Sequence, residues 1–393
     1  MSCLDVQLLI VQYSLEDCPV RPRALSRLLH CPVPTAAVAI RYCHYLQSKK
    51  PSVTRFRKAS KTGDVYILRW LTHEFKLTGV DVRAKDNYAF RSAARTGHLN
   101  VLRWLTEEFK LTGMDARAHD NDAFRSAAYN GHLEVLRWLT EEFKLLGLDV
   151  RAEDNYAFRL AAQKGHLQVL KWLTHEFKLT GVDARAGNNH AFRCAAESGH
   201  LKVLKWLTHE FKLTAVDALA VDNHAFRSAA ECGHLTLLKW LTHEFKLTEV
   251  DARADDNYAF RYAAYNGHLE VLQWMTDEFK LRKEDALVQN NYTFRWAAEN
   301  GHLHVLQWMT EEFNLTGEHV RAVDNDAFRS AARYGHLQVL QWLTHEFQLT
   351  RQDARAADNY AFRWAAYNGH LQVLQWLLLT MDITGLAMGK GGV

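Results

Sequence analysis

The sequence predicts an all-α helical repeat solenoid of about ten 34-residue helix-turn-helix units. Three observations predict it. Asn recurs at 87, 121, 155, 189, 223, 257, 291, 325 and 359, always 34 residues apart. Trp keeps the same interval at 70, 104, 138 and onward to 376. Within each interval two stretches of helical apolar spacing flank a glycine. A fixed period of this size marks a repeat array, in which each unit buries its apolar face against its neighbours. Such an array lets 393 residues escape the size limit of a single core.

In chain order, residues 1–51 come first and stand apart. All five prolines (Pro19, Pro22, Pro32, Pro34, Pro51) lie there, with six Lys/Arg against three acids. The remainder carries 42 basic and 42 acidic residues. This segment is expected to hold short helices that close the open end of the stack. Asp5, Glu16 and Asp17 and the absence of a cleavage signature argue against a signal peptide. No run of 18 apolar residues occurs, so no membrane partner is expected and the chain is read as soluble and cytoplasmic. Cys3, Cys18, Cys31, Cys43, Cys194 and Cys232 lack metal-site spacing and fit reduced thiols. Neither a metal nor another cofactor is expected.

The array is read as residues 52–385, with a flexible tail at 386–393. Residues 52–85 form an eroded first unit that keeps Phe56, Gly63 and Trp70 but loses the Asp-Asn pair. In the next unit Asp86 or Asn87 is expected to cap helix A, spanning about 88–96, with Phe90, Ala93 and Ala94 as its buried stripe. Gly97 sits where a left-handed cap is needed. Helix B is expected from about Leu99 to Phe109, its Leu99, Val101, Leu102, Trp104, Leu105 and Phe109 forming a face wide enough to need two neighbours.

The string Ala-Ala-x-x-Gly-His-Leu-x-Val-Leu-x-x-Leu, as at Ala127 to Leu139, resembles the core of the ankyrin repeat. Asp-Val-Arg-Ala at 81–84 is similar to the entry of that family's hairpin finger. The resemblance covers 55 to about 385 and is to the proline-poor type found in large DNA viruses and protists. Tyr88-Ala89-Phe90-Arg91 replaces the family's Thr-Pro-Leu-His, and the finger region is about three residues short. Hairpin fingers are therefore expected to be reduced or absent. A period of 34 also fits the tetratricopeptide repeat, but the Gly-His step between the helices does not. The resemblance implies that the nine histidines from His98 to His370 tie loops to backbone rather than carry chemistry.

Arg91 and its equivalents at 125, 159, 193, 227, 261, 295, 329 and 363 are expected to form a ladder onto the Asp or Asn of a neighbouring unit's cap, with phosphate binding as the alternative. No catalytic constellation breaks the repeat symmetry, so no enzyme is expected. Along helix B, Arg69, Arg103, Arg137, Lys171, Lys205 and Lys239 give way to Gln273, Gln307, Gln341 and Gln375. Arg103 with Glu107 and Arg137 with Glu141 are expected as helix salt bridges.

The positions that vary lie on one face of helix A, in the rows that begin at 88, 92, 95 and 96. Aromatic residues collect there in the last four units: Tyr262, Tyr265, Trp296, Tyr334, Trp364 and Tyr367. On the concave side of the array they would make a partner-binding patch, since Tyr and Trp are favoured interface anchors. The competing reading is that these rings only pack between A helices. A protein-interaction scaffold or adaptor, monomeric and with a protein partner, is the expected function. The alternative is a nucleic-acid binder using the Arg/Lys row and aromatic stacking, which the neutrality of the array disfavours.

Overall fold

The computed structural model describes residues 52–381, so the expected segment at 1–51 and the tail at 386–393 lie outside it. Among the described residues there is no strand, and the helices pair ten times, from Ser52–Thr62 with Val65–Glu74 to Ala356–Tyr367 with Leu371–Thr380. The chain divides between Asp183 and Ala184 into two compact units. The first holds four helix pairs and the second six. Within each unit, helix A packs on helix A of the next repeat.

One repeat of the first unit shows the construction. A one-turn helix Gly113–Ala116 leads into helix A (Ala118–Tyr129), Gly131 turns the chain, and helix B (Leu133–Phe143) follows. The short helix stands where a hairpin finger would be. Its start is closed by Asp115, which accepts the backbone N–H of Thr112 at 2.8 Å and its hydroxyl at 3.1 Å.

The Asp-Asn pair does not cap helix A, as the sequence had suggested. His119, Asp120 and Asn121 have φ of 56°, 54° and 60°, three successive left-handed residues that make one turn of the wrong hand before the right-handed helix begins. Each such residue costs roughly 1–2 kcal/mol, and Asp and Asn tolerate it better than most. The turn is held from both sides. In the preceding repeat Arg91 donates from Nε to the Asp86 carbonyl at 2.7 Å and from Nη2 to the Lys85 carbonyl at 3.1 Å. The Asn87 amide donates to the Asp115 carbonyl at 3.3 Å, across to the next repeat.

The expected Arg91 ladder is thereby corrected. This row braces its own left-handed turn and reaches the next repeat where an acceptor side chain stands at a suitable position, as in Arg91 with Asp122 (2.6 Å), Arg295 with Asp326 (2.6 Å) and Arg261 with Gln289 (3.4 Å). The regular ladder runs through the Asp-x-Arg triplet instead. Arg83 meets Asp115 at 2.7 Å, Arg117 meets Asp149 at 2.6 Å, and Arg151 meets Asp183 at 2.7 Å. In the second unit Arg185 meets Asp217 at 2.6 Å, Arg253 meets Asp285 at 2.7 Å, and Arg321 meets Asp353 at 2.8 Å. Leu219 and Leu287 interrupt it.

Within each unit the buried phenylalanines of helix A insert into helix B of the following repeat. The Phe90 ring lies 6.3 Å from Trp138 and 5.8 Å, edge-on, from Phe143, and Phe226 repeats this with Trp274 and Phe279. Ala93, Ala94, Val101, Leu102 and Leu105 are fully buried, whereas Leu99 and Phe109 of the expected helix-B face are half-buried.

Candidate functional site

The rows at 88, 92, 95 and 96 lie at i, i+4, i+7 and i+8 and so project together from one side of helix A. In the second unit the expected residues fall into two groups. In the first, Tyr262 and Tyr265 of Ala254–Tyr265 present to Trp296 of Val288–Glu299, with centroids 5.0 and 5.2 Å apart and both pairs inclined at 72°. Tyr258 stacks on Tyr262 at 4.0 Å, and Tyr292 lies 4.0 Å from Trp296. In the second, Trp364 meets Tyr367 at 5.3 Å and Tyr360 at 5.6 Å. The Arg333 guanidinium stands 4.5 Å from the Trp364 ring and 5.2 Å from Tyr334, and donates to the Tyr360 hydroxyl at 3.0 Å. It is the cation that joins Tyr334 to this group. Asp326 and Ser330 occupy the corresponding positions of the repeat in between.

Exposure sorts the six. Tyr367 is 81% exposed and Tyr334 44%, whereas Tyr262, Tyr265, Trp296 and Trp364 are half-buried against one another. The four half-buried rings thus pack between A helices and still show an edge to solvent. Tyr258, Tyr292, Tyr360 and Arg333 belong to the same surface and were not singled out from sequence. Their signal was there in the i, i+4 spacing from 258 to 262, 292 to 296 and 360 to 364.

The arginine row underlies these rings. Arg227 stands 4.7 Å from the Tyr258 ring, Arg295 4.8 Å from Tyr292 and Arg329 5.0 Å from Tyr360. Burial first, then the charge of Glu231, pushes the Tyr258 hydroxyl well above its usual range. Burial and the charge of Glu299 raise Tyr334 too.

The Gly-His histidines do a different job. His268, His302 and His336 place Nε2 at 3.0, 2.9 and 2.8 Å from the carbonyl oxygens of Glu231, Tyr265 and Glu299, at the ends of the preceding A helices. Burial lowers the pKa of all three. On helix B the residues from Arg69 to Gln375 are exposed, and Arg137 lies 3.9 Å from Glu134 rather than pairing with Glu141. Among the described ion pairs Arg103 with Glu107 does not occur. Cys194 Sγ lies 3.2 Å from His190 Nδ1, and Cys232 is exposed. Among the described residues no group of three or more His, Cys, Asp or Glu is placed to hold a metal, and no helix is long and apolar enough to cross a membrane.

The family model described as ankyrin repeats in many copies matches residues 124–174, 226–276 and 329–378. Each stretch starts at or next to the buried phenylalanine of one helix A and ends within or just after helix B of the next repeat. Among solved structures, that of an ankyrin repeat family protein from Legionella pneumophila is 25% identical over 72% of this chain and 78% of its own, with a TM-score of 0.30. No curated protein matches the chain.

Proposed function

Ankyrin repeats recur along this chain, and from that premise we propose that it is a protein-binding scaffold or adaptor whose contact surface is the aromatic helix-A face of the second unit. Repeats of this kind generally mediate protein–protein interaction. The observation that carries the reading is the placement of the rings. Every buried position of the repeat is occupied by nearly the same residue from unit to unit, yet on this face Tyr334 and Tyr367 stand out into solvent beside rings that are only half covered. A large ring left exposed leaves apolar area unburied, at about 25 cal/mol per Å². A partner that covers it recovers that energy, and Tyr and Trp are the residues that most often do so. The cytoplasm, a monomeric state and binding without catalysis belong to the same reading. The Arg/Lys row stands on helix B, away from the rings of helix A, which weakens the nucleic-acid alternative.

The two exposed tyrosines give the cleanest test, because removing them takes little from the core. Tyr334→Ala/Tyr367→Ala in the full chain should keep the helical circular dichroism and melting of the parent. It should reduce capture of partner proteins from lysate by about thirtyfold or more, the factor that a loss of 2 kcal/mol at an interface hot spot gives. Equal capture by parent and variant would dispose of this face as the contact surface.

A further inference from the structure

We infer that the second unit takes a cationic side chain of its partner, a Lys or Arg, into a recess beside the aromatic face; this rests on the protein-binding reading above. The recess has a volume of about 240 Å³ and lies between the A helices Ala220–Glu231 and Ala254–Tyr265, with Glu197 of the preceding helix A at its rim. Its other lining groups are His224, Arg227, Ser228, Glu231, Cys232 and Tyr258.

Charge decides what fits. The guanidinium of Arg227 is paired with Asp255, donates to the Val221 carbonyl and lies over the Tyr258 ring, so its positive charge is already matched. Arg193, on the helix that carries Glu197, donates to the carbonyls of Gly187 and Asn188. His224 accepts or donates at Nδ1 with the Ser228 hydroxyl at 3.1 Å, and burial, followed by the charges of Arg193 and Arg227, lowers its pKa and favours the neutral ring. With Arg261, 6.0 Å from the Tyr258 ring, three arginines and the three carboxylates Glu197, Glu231 and Asp255 surround the site, but Arg261 and Arg193 do not line the recess and Arg227 is already paired with Asp255. The two that line the recess, Glu197 and Glu231, face no basic side chain among its other lining groups except Arg227.

Glu231 accepts the Tyr258 hydroxyl at 3.2 Å through one oxygen, which orients the carboxylate and leaves the other oxygen as an acceptor. A lysine ammonium entering here would meet two carboxylates and the Ser228 hydroxyl. That set matches a compact donor-only cation in both charge and hydrogen bonding. Tyr258 stacks on Tyr262, and Tyr262 meets Trp296, so the recess is continuous with the aromatic face and one partner segment can occupy both.

The test uses the full chain and a fluorescein-labelled hexalysine peptide, with hexaglutamate as the opposite-charge control. Hexalysine should bind in 0.1 M salt and hexaglutamate should not. Glu197→Gln/Glu231→Gln keeps shape and the tyrosine contact but removes the charge, and should weaken hexalysine binding about tenfold, whereas Glu270→Gln/Glu311→Gln on helix B should change it less than twofold. Failure of hexalysine to bind, or equal loss in both double variants, overturns the inference. If Tyr334→Ala/Tyr367→Ala still abolishes partner capture in that case, the protein-binding reading stands without the cationic anchor; if capture is unaffected by the tyrosines but lost in the glutamine variant, the recess stands and the aromatic face does not.

Discussion

At the residue scale the repeat is governed by a glycine and the histidine that follows it one unit later. Gly131 has φ +77°, and a Cβ built on it would stand 2.6 Å from Nδ1 of the His166 ring. Two separate causes thus exclude a side chain: the backbone is left-handed, and the next repeat's imidazole occupies the space while bonding the Tyr129 carbonyl at 3.0 Å. Gly369 shares the first cause, with φ +75°, but no atom of the described residues lies within 4 Å of its Cβ position. Gly369→Ala should therefore cost about 1 kcal/mol in local opening free energy, the backbone effect alone. Gly131→Ala should cost clearly more, because the imidazole must also move. Hydrogen exchange of the helices on either side of each glycine measures both, and equal losses would show that the histidine contact contributes nothing. The conformation was legible from sequence, since a glycine between two helices at a constant position signals a left-handed cap. The steric half was not, because the clashing ring comes from 35 residues further on.

At the element scale the connection between repeats is a short helix, a left-handed turn and one Arg–Asp rung. The sequence shows the Asp-x-Arg triplet, but a rung joins residues 32 apart, so only the stacked structure reveals that each arginine serves the next repeat's aspartate. The same stacking explains the Arg91 row: the left-handed turn brings the carbonyls of Lys85 and Asp86 within reach of its guanidinium, whose remaining nitrogen meets Asp122 of the next repeat. The two gaps differ. Opposite Leu219 the aspartate remains, as Asp251, whereas opposite Leu287 it has become His319. Leu219→Arg should restore a rung and stabilise the second unit by up to about 1 kcal/mol, the upper end for a half-exposed ion pair with good bidentate geometry. Leu287→Arg alone should give no gain, and adding His319→Asp should produce one. Urea denaturation of the four proteins tests this, and a gain from Leu287→Arg alone would break the account of the rung.

For the whole molecule the rungs and the histidines set the response to acid. Arg117's hydrogen bond holds the Asp149 carboxyl below its usual range, and in Asp115, Asp183, Asp217, Asp285 and Asp353 the upward push of burial is outweighed by the arginine and the capping N–H. A carboxyl depressed on folding gives stability that is complete above its unfolded value, near 4, and is lost as pH falls through the folded value. His132, His268, His302 and His336 are also depressed, by burial foremost, so the unfolded chain takes up protons first as pH falls below about 6.5. The urea midpoint should therefore decline in two stages, one between pH 6.5 and 5 and a steeper one below pH 4. A flat midpoint from pH 7 to 5 would mean that the histidines titrate alike in both states.

The sequence by itself determined the period, the two helices of each repeat and their buried faces, because these depend on spacing along a single helix and on a pattern repeated ten times. It also marked Tyr262, Tyr265, Trp296, Tyr334, Trp364 and Tyr367 as positions released from that pattern. Only the tertiary structure decided that Asp and Asn fill a left-handed turn, which arginine serves the next repeat, that the six aromatic residues form two groups, and that Glu197, Glu231 and Tyr258 border one recess. Those contacts join residues about one repeat apart, and their partners are fixed by how one helix pair lies on the next, a geometry that no local pattern encodes.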